Sequence, residues 1–258
     1  MRESPLRSLS VLLAVALVCS VLVSISAVVL RPIQAENERI ERYRHIVALA
    51  GLADGELDDA GIAAAVERLE VRVVNLDTGE FSTDLLPDQV NARQAVNDPA
   101  LSTAIPPAHD LARIGRRSRF EVIFLVREGG RLSRVILPIH GQGMWSTLYG
   151  LLALEADLNT IAAATFYEQA ETAGLGDRIE DPAWQALWTG RRLFGTAGDF
   201  RFQVAPGSVD DASPAAAYQV DGLSGATITG NAVTALVRFW FGPYGYGPLL
   251  ERLAEREE

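Results

Sequence analysis

Asp221-Gly222-Leu223-Ser224-Gly225-Ala226-Thr227-Ile228-Thr229-Gly230 is a polar, glycine-containing turn that runs into an apolar helical pattern, Val233, Leu236, Val237 and Trp240. A hydroxyl therefore stands where a helix begins. The first turn of a helix carries backbone N–H groups with no intrahelical acceptor, and the positive end of the helix dipole lies there. Such a place favours an anion, phosphate above all. A second reading of the same residues is an ordinary hydroxyl cap, because Ser and Asp are common N-caps and Gly is common in turns. These ten residues leave both readings open, and the rest of the chain decides between them.

The 258 residues hold one large domain or two small ones, and a hydrophobic content of 48% is enough for a sizeable core. A net charge of -10 argues against binding nucleic acid through its phosphates. All 23 basic residues are arginine, which excludes a Schiff-base lysine and a lysine-bearing phosphate loop. Cys19 is the only cysteine, so this chain alone builds no disulfide, cysteine-ligated zinc site or iron–sulfur cluster. His45, His109 and His140 stand singly, without metal-ligand spacing, and no metal site is expected.

Leu9 to Leu30 carries no charge, and its only strongly polar side chains are serines. As a helix it spans about 33 Å at ~1.5 Å per residue, enough for a bilayer core of about 30 Å. A cleaved signal peptide with Arg2 and Arg7 as its basic start is the rival reading. The apolar run is longer than a typical signal core and a charged segment comes directly after it, which favours an uncleaved anchor. Val18 before Cys19 argues against a lipoprotein signal. Arginines flank the run on both sides (Arg2 and Arg7 before it, Arg31, Arg39, Arg42 and Arg44 after it), so charge leaves the orientation undecided.

Beyond the run, residues 36–48 have helical spacing of Ile40, Tyr43, Ile46 and Val47. Asp58-Asp59 caps a second expected helix reaching Leu69. Val71 to Phe81 alternates around Asp77-Thr78-Gly79, a hairpin signal, and Phe120 to Val126 and Arg134 to Ile139 flank Glu128-Gly129-Gly130, a second one. Residues 82–112 read as a connector. Asp181-Pro182 starts a helix over Trp184 to Trp188. The last long helix is expected from near Thr227 to Phe241, stopped by Gly242-Pro243, with a short terminal helix over Leu249 to Glu258. Strands and helices mix without βαβ alternation, so the fold class is α+β behind a single N-terminal transmembrane helix. The expected division is a short N-terminus over 1–8, the membrane helix over 9–30, a membrane-proximal region with connector over 31–112, and a cofactor domain over 113–258.

Two further segments are informative. Gly141-Gln142-Gly143-Met144-Trp145-Ser146-Thr147-Leu148-Tyr149-Gly150 comes after a predicted strand. Its glycines allow close backbone approach, and Trp145 and Tyr149 offer flat surfaces; alone, it reads as a packed turn with core aromatics. Thr165-Phe166-Tyr167-Glu168-Gln169-Ala170-Glu171-Thr172-Ala173-Gly174-Leu175-Gly176 leads from a strand into a loop with glycines, a carboxylate and a hydroxyl. That mixture suits a flavin ring, which needs apolar contact for its faces and donors and acceptors for its edge. A surface turn is the plainer alternative.

Ser224-Gly225-Ala226-Thr227 after Asp221 resembles the flavinylation motif of proteins whose FMN is joined through its phosphate to a threonine. Over nearly its whole length the chain resembles the C subunit, the covalent-FMN subunit, of the bacterial sodium-translocating NADH:quinone reductases. The likeness rests on Val18-Cys19-Ser20, Gln34 to Leu52, Gly141 to Leu154, Asp157-Leu158-Asn159-Thr160, Thr165 to Gly176 and Asp221 to Thr229. Ala173 departs from it, standing where the family usually has proline; the loop loses the restraint that proline places on φ.

The resemblance implies a covalent FMN on Thr227, with Ser224, Gly225 and Ala226 near its phosphate. It implies that Glu171, Thr172, Gly174 and Leu175 lie near the isoalloxazine ring, with Trp145 close by, and that Thr229 stays unmodified. It further implies a cytoplasmic N-terminus in the bacterial inner membrane and a periplasmic flavin domain. The other subunits of the complex are the implied partners, with a magnesium-dependent flavin transferase during maturation. The chain would relay electrons within a sodium-pumping NADH:quinone reductase, with no NADH or quinone site of its own. The G subunit of the Rnf electron-transport complex shares the anchor and threonine motif; residues 53–135 and Trp145-Ser146 favour the sodium pump. A cofactor-free membrane-anchored scaffold or sensor is the alternative of another class, and it would be colourless after denaturing electrophoresis.

Overall fold

The apolar N-terminal run lies within α1 (Pro5–Leu49). Its segment Leu9–Arg31 has 23 residues and a mean hydropathy of 2.8, and none of it is buried. By length and composition it is compatible with a membrane anchor. The computed structural model describes residues 5–52, 55 and 57–257; Arg2 and the start of the expected N-terminal segment lie outside the described residues. The chain divides into two compact units, Met1–Arg44 and His45–Glu258.

In the second unit, Ile46, Val47 and Leu49 are buried, and Arg134 Nη1 donates to the Leu49 carbonyl at 3.1 Å. α2 (Asp59–Val66) is capped by Asp58, whose carboxylate accepts the Gly61 N–H at 2.8 Å. β1 (Glu70–Asn75) and β2 (Glu80–Phe81) form the expected first hairpin. Gly79 in its turn has φ +71°, and a Cβ there would lie 2.3 Å from the Pro248 carbonyl oxygen, so only glycine fits.

The connector is more ordered than its lack of periodicity suggested. It contains α3 (Ala92–Ala95) and β3 (Ser102–Ala104), and β3 pairs antiparallel with β4 (Arg116–Ser118). The main sheet continues with β5 (Phe120–Glu128), β6 (Arg131–Gln142), β7 (Thr147–Glu155) and β8 (Ile161–Glu168). Its order is β2-β1-β5-β6-β7-β8, with every neighbouring pair antiparallel. After the sheet, α4 (Pro182–Ala186) starts at Asp181, whose side chain accepts the Ala183 N–H at 2.9 Å. β9 (Gln203–Val204) and β10 (Gln219–Val220) make a short parallel pair. α5 (Thr227–Trp240) and α6 (Gly247–Glu257) complete the chain. Mixed helices and an antiparallel sheet give the α+β class expected.

α5 begins inside the Asp221 to Gly230 motif, so its seat on the sheet fixes where that motif lies. The helix buries Val233, Leu236, Val237 and Trp240, the stripe that the helical spacing predicts. A Cβ at Gly141 would sit 2.7 Å from Leu236 Cβ. Glycine at that point of β6 therefore lets the helix lie close on the sheet. Trp240 Nε1 donates to the His140 carbonyl at 2.6 Å and fixes the helix along the strand. The core below contains the fully buried Trp188, Tyr246, Phe166 and Phe202.

Candidate functional site

The motif of Asp221 to Gly230 forms the entry to α5. Asp221 accepts the Val209 N–H at 2.7 Å, and its carbonyl accepts Trp184 Nε1–H at 2.8 Å. A Cβ at Gly222 would meet the Ala205 carbonyl oxygen at 2.3 Å. These residues pin the turn to the loop of 205–209. Leu223 and Ala226 are buried beneath it, and Ser224 and Gly225 are exposed above it. Gly225 has φ +76°.

The N-cap of α5 is Ala226, and no side chain caps the helix. The hydroxyl-cap reading of this motif therefore does not describe the structure. Thr227 is the first helical residue, and its side chain is exposed. The first N–H bonded within the helix is that of Gly230, to the Ala226 carbonyl at 3.0 Å. The N–H groups of Thr227, Ile228 and Thr229 precede that ladder, which makes this end suited to an anion.

Thr229 is placed differently from Thr227. It is 1% exposed, and its hydroxyl donates to Glu171 Oε2 at 2.6 Å. Glu171 is itself buried and accepts three backbone N–H groups of the turn between β6 and β7. These come from Met144 at 3.1 Å, Trp145 at 2.9 Å and Ser146 at 3.2 Å. Burial pushes the Glu171 carboxyl up, but the Thr229 hydroxyl and these N–H groups outweigh it and hold it below its usual range. Two glycines make room for the arrangement. A Cβ at Gly143 would lie 2.7 Å from Glu171 Oε1, and one at Gly176 would lie 2.8 Å from Thr229 Oγ1. Ser146 Oγ accepts the Ala170 N–H at 2.7 Å, a second tie between the same two loops.

The structure thus brings together Glu171, the 144–146 turn and the first turn of α5. Leu175 joins them, since a Cβ at Gly225 would lie 2.9 Å from its Cδ2. Thr172 contributes its carbonyl, which accepts the Leu175 and Gly176 N–H groups at 3.1 Å each. Gly174 has φ +75°, and Thr172, Ala173 and Gly174 are exposed. Trp145 is 66% exposed. Met144, Leu175 and Ile228 are exposed too. After Ile33, only Leu86, Leu101 and Leu111 join these four as large exposed apolar side chains among the described residues. Beyond α1, apolar exposure among the described residues therefore concentrates around this helix start.

Sequence reasoning missed the Thr229–Glu171 bond and the role of Arg93. The Arg93 guanidinium lies 3.6 Å over the Tyr149 ring and pairs with Glu168 at 2.8 Å, which ties the connector to β7 and β8. Tyr149 also stacks on His140, with ring centroids 5.5 Å apart. Burial, with a smaller contribution from Arg93, lowers the His140 imidazole to about 4. No spacing rule joins residues this far apart in sequence. Two open clefts, of about 520 Å³ (lined by Glu128, Arg131, Asp157 and Thr160) and about 610 Å³ (lined by Phe194, Phe200, Arg238 and Phe241), share no residue with the α5 entry.

These features suit an FMN: N–H groups and an exposed hydroxyl for its phosphate, and apolar side chains for its ring. The family model of the FMN-binding domain matches residues 143–242, which span the 144–146 turn, the 171–176 loop and the start of α5. The chain is 44% identical to the C subunit of the Na(+)-translocating NADH-quinone reductase of Pseudomonas aeruginosa, over 99% of this chain and 98% of that one. It is 42% identical to the same subunit from Neisseria meningitidis serogroup A, over 95% and 93% of the two chains. Among solved structures it is similar to the NqrC crystal structure of Shewanella oneidensis, with a TM-score of 0.78, 32% identity, and coverage of 85% of this chain and 99% of that one. With such identity along nearly its full length, the chain belongs to the family of C subunits of the Na(+)-translocating NADH-quinone reductases.

Proposed function

We propose that this chain carries FMN joined through its phosphate to Thr227 and relays electrons within a sodium-translocating NADH:quinone reductase. One observation carries the choice of residue. Thr227 presents an exposed hydroxyl at the uncapped start of α5, whereas Thr229, in the same turn, is buried and committed to Glu171. The N–H groups of Thr227 and Ile228 and the helix dipole favour the phosphate, with Ser224, Gly225 and Ala226 beside it. Trp145, Leu175 and Ile228 supply apolar surface for the ring, and the loop of Glu171, Thr172 and Gly174 borders it. The bound flavin supplies the electron chemistry, and the protein's task is to hold it, shield it and set its potential.

In this account the segment 9–30 anchors the chain in the inner membrane and the flavin domain faces the periplasm. The other subunits of the reductase are its partners, and a flavin transferase attaches the FMN. Residues 1–8, 9–30, 31–112 and 113–258 remain our division of the chain. Family membership favours this reading over the G subunit of the Rnf complex. The test is denaturing electrophoresis of protein co-expressed with the transferase. A fluorescent flavin band in wild type that vanishes in Thr227→Ala supports the assignment. A dark wild-type band supports the cofactor-free scaffold instead.

A further inference from the structure

We infer that Glu171 is a positioning residue whose single carboxylate sets both Trp145 and the first turn of α5, with Thr229 as its partner. This inference rests on the flavin reading above and assigns two residues of that site a role other than contact with the ring. The carboxylate's two oxygens take four donors from two separate parts of the chain. Oε1 holds the Trp145 and Ser146 N–H groups, and Oε2 holds the Met144 N–H and the Thr229 hydroxyl. The donors at 144–146 lie in the turn between β6 and β7, and Thr229 is in the first turn of α5.

Geometry makes the hub tight. The Cβ positions of Gly143 and Gly176 abut it, so a side chain at either would push against the carboxylate or Thr229. Trp145 is exposed at 66%, with little packing to hold its ring, and its backbone N–H is held by Glu171. That bond fixes the backbone of the 144–146 turn and so the direction from which the indole projects; without it the turn and its ring move together. Among the described residues no arginine forms a salt bridge with Glu171, so its negative charge is balanced by hydrogen-bond donors alone. Electrons added to a flavin on Thr227 would therefore arrive beside a fixed negative charge, which lowers the flavin's potential.

Two readouts test this on the full chain in detergent. The first needs no flavin. Of the four tryptophans, Trp184, Trp188 and Trp240 are buried, so Trp145 alone reports surface motion. Its anisotropy decay is isolated by difference from Trp145→Phe, in protein expressed without the transferase. Glu171→Gln replaces an acceptor oxygen with an amide NH2, and Thr229→Val removes the hydroxyl. Both should lower the amplitude of the slow component of the Trp145 decay, Glu171→Gln more than Thr229→Val, which leaves the Trp145 N–H on Oε1, and Thr229→Ser should restore it. The second readout is the flavin midpoint potential in flavinylated protein. It should rise in Glu171→Gln, shift less in Thr229→Val, and return to wild type in Thr229→Ser. An unchanged Trp145 decay in Glu171→Gln and Thr229→Val overturns the clamp. A mobile Trp145 with an unchanged potential overturns the electrostatic half. Absence of flavin from the co-expressed wild type overturns the proposed function instead, and the anisotropy experiment still decides the clamp.

Discussion

Thr227 and Thr229 stand two residues apart in one motif, yet their replacement by alanine should have opposite consequences. At Thr227 the side chain is exposed, the N-cap is Ala226, and no side-chain cap is present. Alanine there removes no cap and improves helix propensity by a few tenths of a kcal/mol. Thr227→Ala should thus leave the stability of unflavinylated protein within about 0.5 kcal/mol of wild type. Thr229 is 1% exposed, and its hydroxyl is bonded to an ionised carboxylate at 2.6 Å. Hydrogen bonds to charged groups contribute about 1.5–3 kcal/mol, and Thr229→Ala should cost about 2 kcal/mol. Urea unfolding in detergent, followed by near-UV circular dichroism from the buried tryptophans, measures both. Flavin attachment should run the other way, lost in Thr227→Ala and kept in folded Thr229→Ala. A loss of 1 kcal/mol or more in Thr227→Ala is what a hydroxyl cap predicts, and it would refute this account of the helix start. A neutral Thr229→Ala would refute the buried bond.

Three further outcomes are expected from the structure. Burial lowers His140 from 6.5 to about 4; between those pH values the unfolded chain binds a proton that the folded chain does not. That contribution to stability is complete above about pH 6.5 and is lost as pH falls toward 4, by up to about 3 kcal/mol. His140→Phe should flatten the unfolding profile over that range, and an unchanged slope would contradict it. Thr172→Ala should shift the flavin absorption or midpoint potential while the flavin stays attached; unchanged spectra and potential would remove this side chain from the site. N-terminal sequencing of mature protein should find Leu9–Leu30 retained, whereas a start after residue 26 would identify a cleaved signal.

What the sequence made legible was local. Asp58 and Asp181 with Pro182 announce helix starts because a cap acts within three residues. Asp77-Thr78-Gly79 and Glu128-Gly129-Gly130 announce hairpins because their glycines adopt positive φ. β7 escaped reading because Leu151 to Leu154 are buried without interruption, so the strand has no period of two. The β3–β4 pair is too short to leave a periodic signal. At the candidate site, the order of motifs carried the family resemblance. The bond from Thr229 to Glu171 joins residues 58 apart, and the Arg93–Glu168 pair joins residues 75 apart. Such contacts are set by how α5 and the connector lie against the sheet, which no local pattern states. The uncapped helix start is likewise invisible in a motif that offers several hydroxyls.

The most direct test of the central claim is peptide mass spectrometry of the wild-type chain co-expressed with a flavin transferase. Arg201 and Arg238 bound a tryptic peptide that contains both threonines, so fragmentation within it locates the modification. The account predicts FMN phosphate on Thr227 and an unmodified Thr229. FMN on Thr229, or a peptide with no flavin at all, would contradict it.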